Sequence, residues 1–126
     1  MIENEISKII IDSSIEVHRT LGGCGLLESV YEEALAWELE SKGLNVERQL
    51  EVPIIYKKNR LASPLRLDLL VGKLVIVEVK SVNLYNKIFE AQTLTYLRLM
   101  NLKLGLVINF GEKRVIDGFH RVVNGL

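Results

Sequence analysis

The stretch Leu74-Val75-Ile76-Val77-Glu78-Val79-Lys80 decides the fold of this chain. Its uninterrupted apolar start is typical of a strand that is buried on both faces. Side chains alternate along a strand, so Ile76, Glu78 and Lys80 share one face. A buried carboxylate without a partner costs several kcal/mol. We therefore expect another part of the chain to supply a cation or a hydrogen-bond donor for Glu78.

Asp68 lies in the preceding predicted strand, Leu65 to Val71, and is the first candidate to share that cation with Glu78. Gly72-Lys73 between the two strands indicates an antiparallel hairpin. Because side chains alternate, the two carboxylates share a face only if the loop has an odd number of residues or a strand carries a bulge. We predict a three-residue loop, about Gly72 to Leu74, or a bulge nearby. A site formed by this pair requires both side chains on the same face.

Length and composition indicate one soluble globular domain over residues 1–126, since apolar residues make up 48% and charged residues 25% of the chain. Sixteen basic and sixteen acidic residues cancel, which argues against an architectural DNA-binding protein. The balanced charge does not exclude an enzyme that binds nucleic acid through a local patch. The acidic start and the lack of a long apolar run predict a cytoplasmic protein, and the lone Cys24 excludes an intrachain disulfide.

Hydrophobic periodicity predicts the order α-α-β-β-β-α-β-β, an α/β fold with a mixed β-sheet flanked by helices. The strand, helix, strand connection in the second half implies at least one parallel strand pair. The last strand is expected at a sheet edge. The predicted helices are Ile2 to Leu21, Leu26 to Lys42 and Asn86 to Asn101, and the predicted strands are Val46 to Tyr56, Leu65 to Val71, Leu74 to Ser81, Leu104 to Phe110 and Val115 to Val123.

Two of the predicted helices carry polar residues that are candidates for a site. Glu28 begins the second helix, where the helix dipole alone would account for a carboxylate. Its spacing from Tyr31 nevertheless puts it on the side of core residues. Gln92 and Tyr96 are four residues apart on the third helix and face the same way, either as a surface pair or as part of the site.

Carboxylates that converge in a cleft repel one another unless a hard cation joins them, and oxygen ligands of this type suit Mg²⁺ or Mn²⁺. Lys80, two residues beyond Glu78, is unsuited to bind that cation. It is suited to orient a water molecule and to stabilise charge that develops on a phosphoryl group under attack. Asp68, Glu78 and Lys80 therefore indicate metal-assisted phosphodiester hydrolysis.

These residues resemble a known family. Asp68 followed by Glu78-Val79-Lys80 resembles the signature of the PD-(D/E)XK nuclease superfamily. Gly25-Leu26-Leu27-Glu28-Ser29-Val30-Tyr31 resembles the G-x-x-E-x-x-Y motif that names a small bacterial and archaeal family within it. With Gln92 and Tyr96 four apart on the next helix, the ordered set is similar to that of RecB-like and lambda-exonuclease-like nucleases.

The resemblance implies a restriction-endonuclease-like core and a Mg²⁺- or Mn²⁺-dependent nuclease that acts on nucleic acid, with DNA favoured over RNA. The implied catalytic residues are Asp68, Glu78 and Lys80, and the implied metal ligands are Glu28, Asp68, Glu78 and the carbonyl of Val79. Gln92, Tyr96, Tyr31 and Arg66 are implied to bind substrate or to support the site.

The resemblance runs from about Glu16 to Gly111, with two departures from the family pattern. Cys24 stands where the family usually has proline, and Phe89 stands where a histidine commonly precedes Glu-Ala-Gln. Three interpretations follow: a nuclease, a catalytically silent module that binds nucleic acid or a partner protein, and a structural ion-pair network. The choice between internal and terminal cutting, and between a monomer and a homodimer formed through the last strand, stays open.

Overall fold

The computed structural model describes residues 1–126. In chain order the elements are α1 (Glu3–Thr20), α2 (Glu28–Ser41), β1 (Val46–Val52), β2 (Ile55–Tyr56), β3 (Asn59–Arg60), β4 (Leu65–Val71), β5 (Val75–Lys80), α3 (Ile88–Met100), β6 (Leu104–Asn109), a 3-10 turn (Val115–Gly118) and β7 (Phe119–Val123). No helix combines the length and the apolar character that a bilayer span needs. The predicted α/β class and the order of the main elements are confirmed.

Five strands form one mixed sheet in the order β1-β4-β5-β6-β7, and β2 and β3 form a separate small hairpin. β5 and β6 are parallel and are joined through α3, whereas every other neighbouring pair is antiparallel. The predicted parallel pair and the edge position of the last strand are therefore confirmed. This arrangement puts β5, the strand with Glu78 and Lys80, in the middle of the sheet.

The two faces of the sheet are covered by different helices. α1 and α2 pack on one face through a core cluster that includes Ile10, Leu35 and Val77. α3 packs on the other face through a cluster that includes Ile76 and Leu97. The alternation along β5 explains both clusters, since Val77 and Ile76 are neighbours in sequence and belong to opposite faces.

The β4–β5 loop consists of three residues, Gly72 to Leu74, as predicted. Gly72 and Lys73 both have left-handed backbone angles, with φ of 60° and 59°. The Leu74 N–H donates to the Val71 carbonyl at 3.1 Å, which closes the turn. The odd loop length sets the register that the predicted site requires.

The ends of two predicted strands and the buried side of α2 differ from the predictions. β1 ends at Val52 because Pro53 has no N–H for a ladder bond, and the last strand is preceded by the 3-10 turn. The helical spacing of apolar residues predicts Leu27 and Trp37 on the buried side of the second helix, but they are 74% and 67% exposed. Trp37 lies outside the stripe of α2 that meets the sheet and lines an open groove with Val17 and Leu21 at the end of α1.

Candidate functional site

Asp68 and Glu78 meet where β4 and β5 separate. The antiparallel register pairs Leu69 with Val77, so the next pair along the strands is Asp68 opposite Glu78. The ladder ends there, and the two carboxylates replace it: the Asp68 N–H donates to Glu78 Oε2 at 2.9 Å, and the Val79 N–H donates to Asp68 Oδ2 at 2.8 Å. The carboxylates are thus adjacent, and each is held by the backbone of the facing strand.

The regular alternation of β4 breaks at Asp68. Leu69 belongs to the core cluster under α1 and α2, whereas Leu67 belongs to the cluster under α3. In a regular strand, residues two apart face the same side of the sheet, but Leu67 and Leu69 face opposite sides. The facing position on β1 is Gln49, whose φ of 48° is left-handed, a conformation that is rare for a non-glycine residue. This twist turns Asp68 from the sheet face toward α2.

Glu78 is only 8% exposed, and its environment disfavours the charged form. Burial, followed by the negative charge of Asp68, raises the pKa of Glu78 to about 8. The hydrogen bond from the Asp68 N–H and the positive charge of Lys80 act in the opposite direction and lower it. A divalent cation between the two carboxylates would remove this conflict, because it offsets both charges. The donor set at this point therefore fits a hard divalent metal ion.

An open cleft of about 400 Å³ lies between α2 and the β1–β4 strands. Glu28 and Asp68 both line it. Glu28 is exposed, and its carboxylate accepts the Ser81 N–H at 3.3 Å, which ties the start of α2 to the end of β5. No three His, Cys, Asp or Glu side chains stand in metal-binding geometry. Asp68 and Glu78 are thus brought together, and Glu28 shares the cleft with Asp68.

Glu32 is a site residue that the sequence analysis missed. It is 5% exposed and lies one helical turn after Glu28, on the same cleft wall. Its Oε1 accepts from Gln49 Nε2 at 2.7 Å, and its Oε2 accepts from Arg48 Nη2 at 3.2 Å. Burial, then the charge of Asp68, raises the pKa of Glu32. The four-residue spacing from Glu28 was the signal that could have identified it.

Lys80 follows the carboxylate pair on β5. Its Nζ lies 4.6 Å from the centre of the Phe89 ring, a cation–π contact, and its charge acts to lower the pKa of Glu78. The Lys80 carbonyl accepts the Phe110 N–H on the β6 side. Val79 donates its N–H to the opposite, β4 side, and in a strand a residue's carbonyl points the same way as its N–H. The Val79 carbonyl therefore faces the gap beside Asp68.

The predicted supporting residues differ in their distance from the carboxylates. Tyr96 is half-buried on α3, and burial, followed by the charges of Glu78 and Asp68, raises the pKa of its hydroxyl. Gln92 is exposed on α3. Arg66 is exposed and forms an ion pair with Glu51 on β1. Tyr96 is thus the α3 residue whose charge environment couples it to the site.

Tyr31 supports the loop before α2 and not the Glu28 carboxylate directly. Its ring is fully buried and stacks on Phe110 with 4.6 Å between centroids. Its hydroxyl donates to the Gly23 carbonyl at 2.7 Å and accepts the Leu26 N–H at 3.2 Å. The loop that leads into Glu28 is therefore fixed to the core through one phenol group.

Asn109 is a second residue that the sequence analysis missed. It is fully buried at the end of β6, beside Lys80 in the parallel register. Its Oδ1 accepts the N–H groups of Val82 and Gly111 at 3.0 and 2.9 Å, and its Nδ2 donates to the Val82 carbonyl at 3.1 Å. Asn109 thereby holds the segment that follows Lys80.

Comparison with known proteins places this geometry in a family. The sequence profile of the PD-(D/E)XK nuclease superfamily matches residues 4–122. A solved structure named "Crystal structure of SSO0001" aligns with 96% of this chain and with 79% of its own chain, at 17% sequence identity and a TM-score of 0.48. No curated protein matches the chain. The profile match extends from α1 to β7 and includes both central carboxylates.

Proposed function

The chain belongs to the PD-(D/E)XK nuclease superfamily, and from this premise we propose that it is a divalent-metal-dependent nuclease. The observation that carries the proposal is the adjacent Asp68–Glu78 pair, with Lys80 two residues further along the same strand. A bound Mg²⁺ or Mn²⁺ would activate a water molecule and offset charge on the phosphoryl group. The residues that would hold it are Asp68, Glu78, the Val79 carbonyl and Glu28.

The protein's own groups have separate tasks in this proposal. Asp68 is the fixed ligand, because the Val79 N–H holds one of its oxygens. Glu78 would hold the cation as a carboxylate, so binding would displace to solvent the proton that its metal-free pKa of about 8 retains. Lys80 presents its ammonium group beside Glu78, where it orients the attacking water and stabilises the phosphoryl oxygens.

Substrate contacts are assigned to the α3 side of the site. Tyr96 lies close enough to the carboxylates for their charge to raise its pKa, and it is suited to donate a hydrogen bond to a phosphate oxygen. Exposed Gln92, one helical turn earlier, would contact the next part of the backbone. Arg66 would contact phosphate only after release from Glu51.

Within the superfamily we assign the chain to the group named for the G-x-x-E-x-x-Y motif. Gly25, Glu28 and Tyr31 carry that motif, and Tyr31 fixes the loop that precedes Glu28. We also propose that residues 1–126 act as one domain in the cytoplasm and that the substrate is nucleic acid, with DNA favoured over RNA.

A cleavage assay tests the proposal. The protein is incubated with single- and double-stranded DNA and RNA, with Mn²⁺, and with Lys80→Ala as the control variant. We expect cleavage by the wild type and a loss of roughly 10²-fold or more in rate for Lys80→Ala, with Mn²⁺ binding retained. Equal cleavage by both proteins would remove Lys80 from the mechanism. No cleavage of any substrate would favour the catalytically silent module that binds nucleic acid or a partner protein.

A further inference from the structure

Two groups contact the Asp68 carboxylate, and the second of them does not belong to the β4–β5 strand pair. Its Oδ2 accepts the Val79 N–H, while its Oδ1 lies 3.4 Å from Gln49 Nε2. The same Gln49 nitrogen donates to Glu32 Oε1 at 2.7 Å. One side-chain amide thus lies between two carboxylates that would otherwise face each other across the cleft.

The chemistry of the three groups fixes the orientation of the amide. Ionised carboxylates only accept hydrogen bonds, whereas the amide nitrogen of Gln49 carries two hydrogens. The nitrogen therefore has to face Glu32 and Asp68, and its oxygen has to face away. Arg48 donates to the other Glu32 oxygen through Nη2 and Nε, at 3.2 and 3.3 Å, so Glu32 is itself anchored.

Gln49 makes its contacts with Glu32 and Asp68 from an unfavourable backbone conformation. Its φ of 48° lies in the left-handed region, inside a strand and directly opposite Asp68. An extended residue at this position would continue the alternation of β1 and would point elsewhere. A strained non-glycine residue is retained where the surrounding contacts demand it, and such positions cluster at functional sites.

We infer that Gln49 and Glu32 are positioning residues for Asp68: the Gln49 amide fixes the rotation of the Asp68 carboxylate, and Glu32 fixes the amide. Asp68 then presents one set of oxygen lone pairs in a constant direction. The inference rests on the proposed function in one respect, namely that Asp68 is the ligand that benefits. The geometric part, the fixed carboxylate, is independent of catalysis.

The decisive variant is Gln49→Gly, because glycine adopts a left-handed φ freely and removes the amide. A purely structural role and a positioning role then predict different results. We expect the free energy of unfolding to change little, because relief of the backbone strain offsets the loss of the hydrogen bond from Gln49 to Glu32. At the same time, exchange of the Val79 amide proton in the metal-free protein should accelerate by about 10-fold relative to Val77, since a freely rotating Asp68 no longer holds that N–H.

Metal affinity gives a second measurement. Calorimetric titration with Mn²⁺ should show a dissociation constant weakened by about 5- to 10-fold in Gln49→Gly, in line with the loss of a group that orients a ligand. Glu51→Gln, an exposed change two residues away on β1, is the matched control and should leave both measurements unchanged.

A double variant tests whether Glu32 acts through Gln49. Glu32→Gln alone should accelerate Val79 exchange, and the same change in the Gln49→Gly background should add nothing. Unchanged Val79 exchange in Gln49→Gly, or equal acceleration at Val77 and Val79, would overturn the inference. A wild type that neither binds Mn²⁺ nor cleaves nucleic acid would overturn the proposed function, whereas the exchange result would still decide the role of Gln49.

Discussion

Asp68 and Glu78 face each other across the β4–β5 hairpin, and each carboxylate accepts a backbone N–H from the other strand, at 2.8 and 2.9 Å. These two hydrogen bonds end the backbone ladder between β4 and β5. Both carboxylates lie at the point where the two strands separate. It also makes the carboxylates part of the fold, so their charge affects both stability and metal binding.

Asp68→Asn separates these two roles. The amide oxygen can still accept the Val79 N–H, and the variant removes the charge that disfavours ionised Glu78. We expect thermal unfolding at an equal or higher temperature and Mn²⁺ affinity lowered by roughly 10²-fold or more. Calorimetry and thermal denaturation in the same buffer check both. Mn²⁺ binding at wild-type affinity would show that Asp68 is not a ligand.

The raised pKa of Glu78 predicts that the free energy of unfolding depends on pH. Its pKa in the folded protein is about 8, above the ordinary value of 4.5, so the folded state keeps a proton that the unfolded chain releases. The contribution of Glu78 to stability is then complete below pH 4.5 and is lost as the pH rises through about 8. Between about pH 5 and about pH 9, the metal-free wild type should lose roughly 4 kcal/mol relative to Glu78→Gln.

Urea denaturation in the presence of a chelator measures this difference at several pH values. Saturating Mn²⁺ should reduce it, since a bound cation favours the ionised carboxylate. Parallel stability profiles for wild type and Glu78→Gln would mean that the raised pKa of Glu78 is absent from the folded protein in solution.

Gly105 sets the distance between β6 and α3. A Cβ at this position would lie 2.6 Å from Thr93 Cγ2, so Gly105→Ala should push the helix from the sheet and cost about 1–3 kcal/mol. Thr93→Ser removes that methyl group and keeps the hydroxyl that donates to the Phe89 carbonyl. The double variant should recover at least about half of the loss. Additive losses in chemical denaturation would contradict the steric explanation.

Asn109→Ala should be among the more destabilising polar substitutions. It leaves the Val82 N–H and carbonyl and the Gly111 N–H without their partner, at a cost of roughly 3 kcal/mol. Asn124→Ala is the matched control, because the Asn124 side chain makes one hydrogen bond, to the Leu102 carbonyl, and its loss should cost about 1 kcal/mol. Equal costs in urea denaturation would indicate that the segment after Lys80 is held by other contacts.

Local patterns predicted the parts of this protein that depend on neighbours in sequence. The apolar run before Glu78 and the two-residue period of strands put Glu78 and Lys80 on one face, and the odd loop at Gly72 to Leu74 followed from the requirement that Asp68 share that face. Those features are short-range, since a three-residue turn and the alternation of side chains involve no distant part of the chain.

Tertiary structure alone decided how Asp68 is oriented and what surrounds it. Gln49 and Asn109 carried no pattern that marked them, because their partners lie on other elements, and Glu32 was marked only by its four-residue spacing from Glu28. The left-handed Gln49 shows the reason: its φ of 48° is unfavourable locally and is stabilised only by contacts with α2 and β4. Local propensity cannot report such a conformation, since its free energy comes from residues that folding brings together.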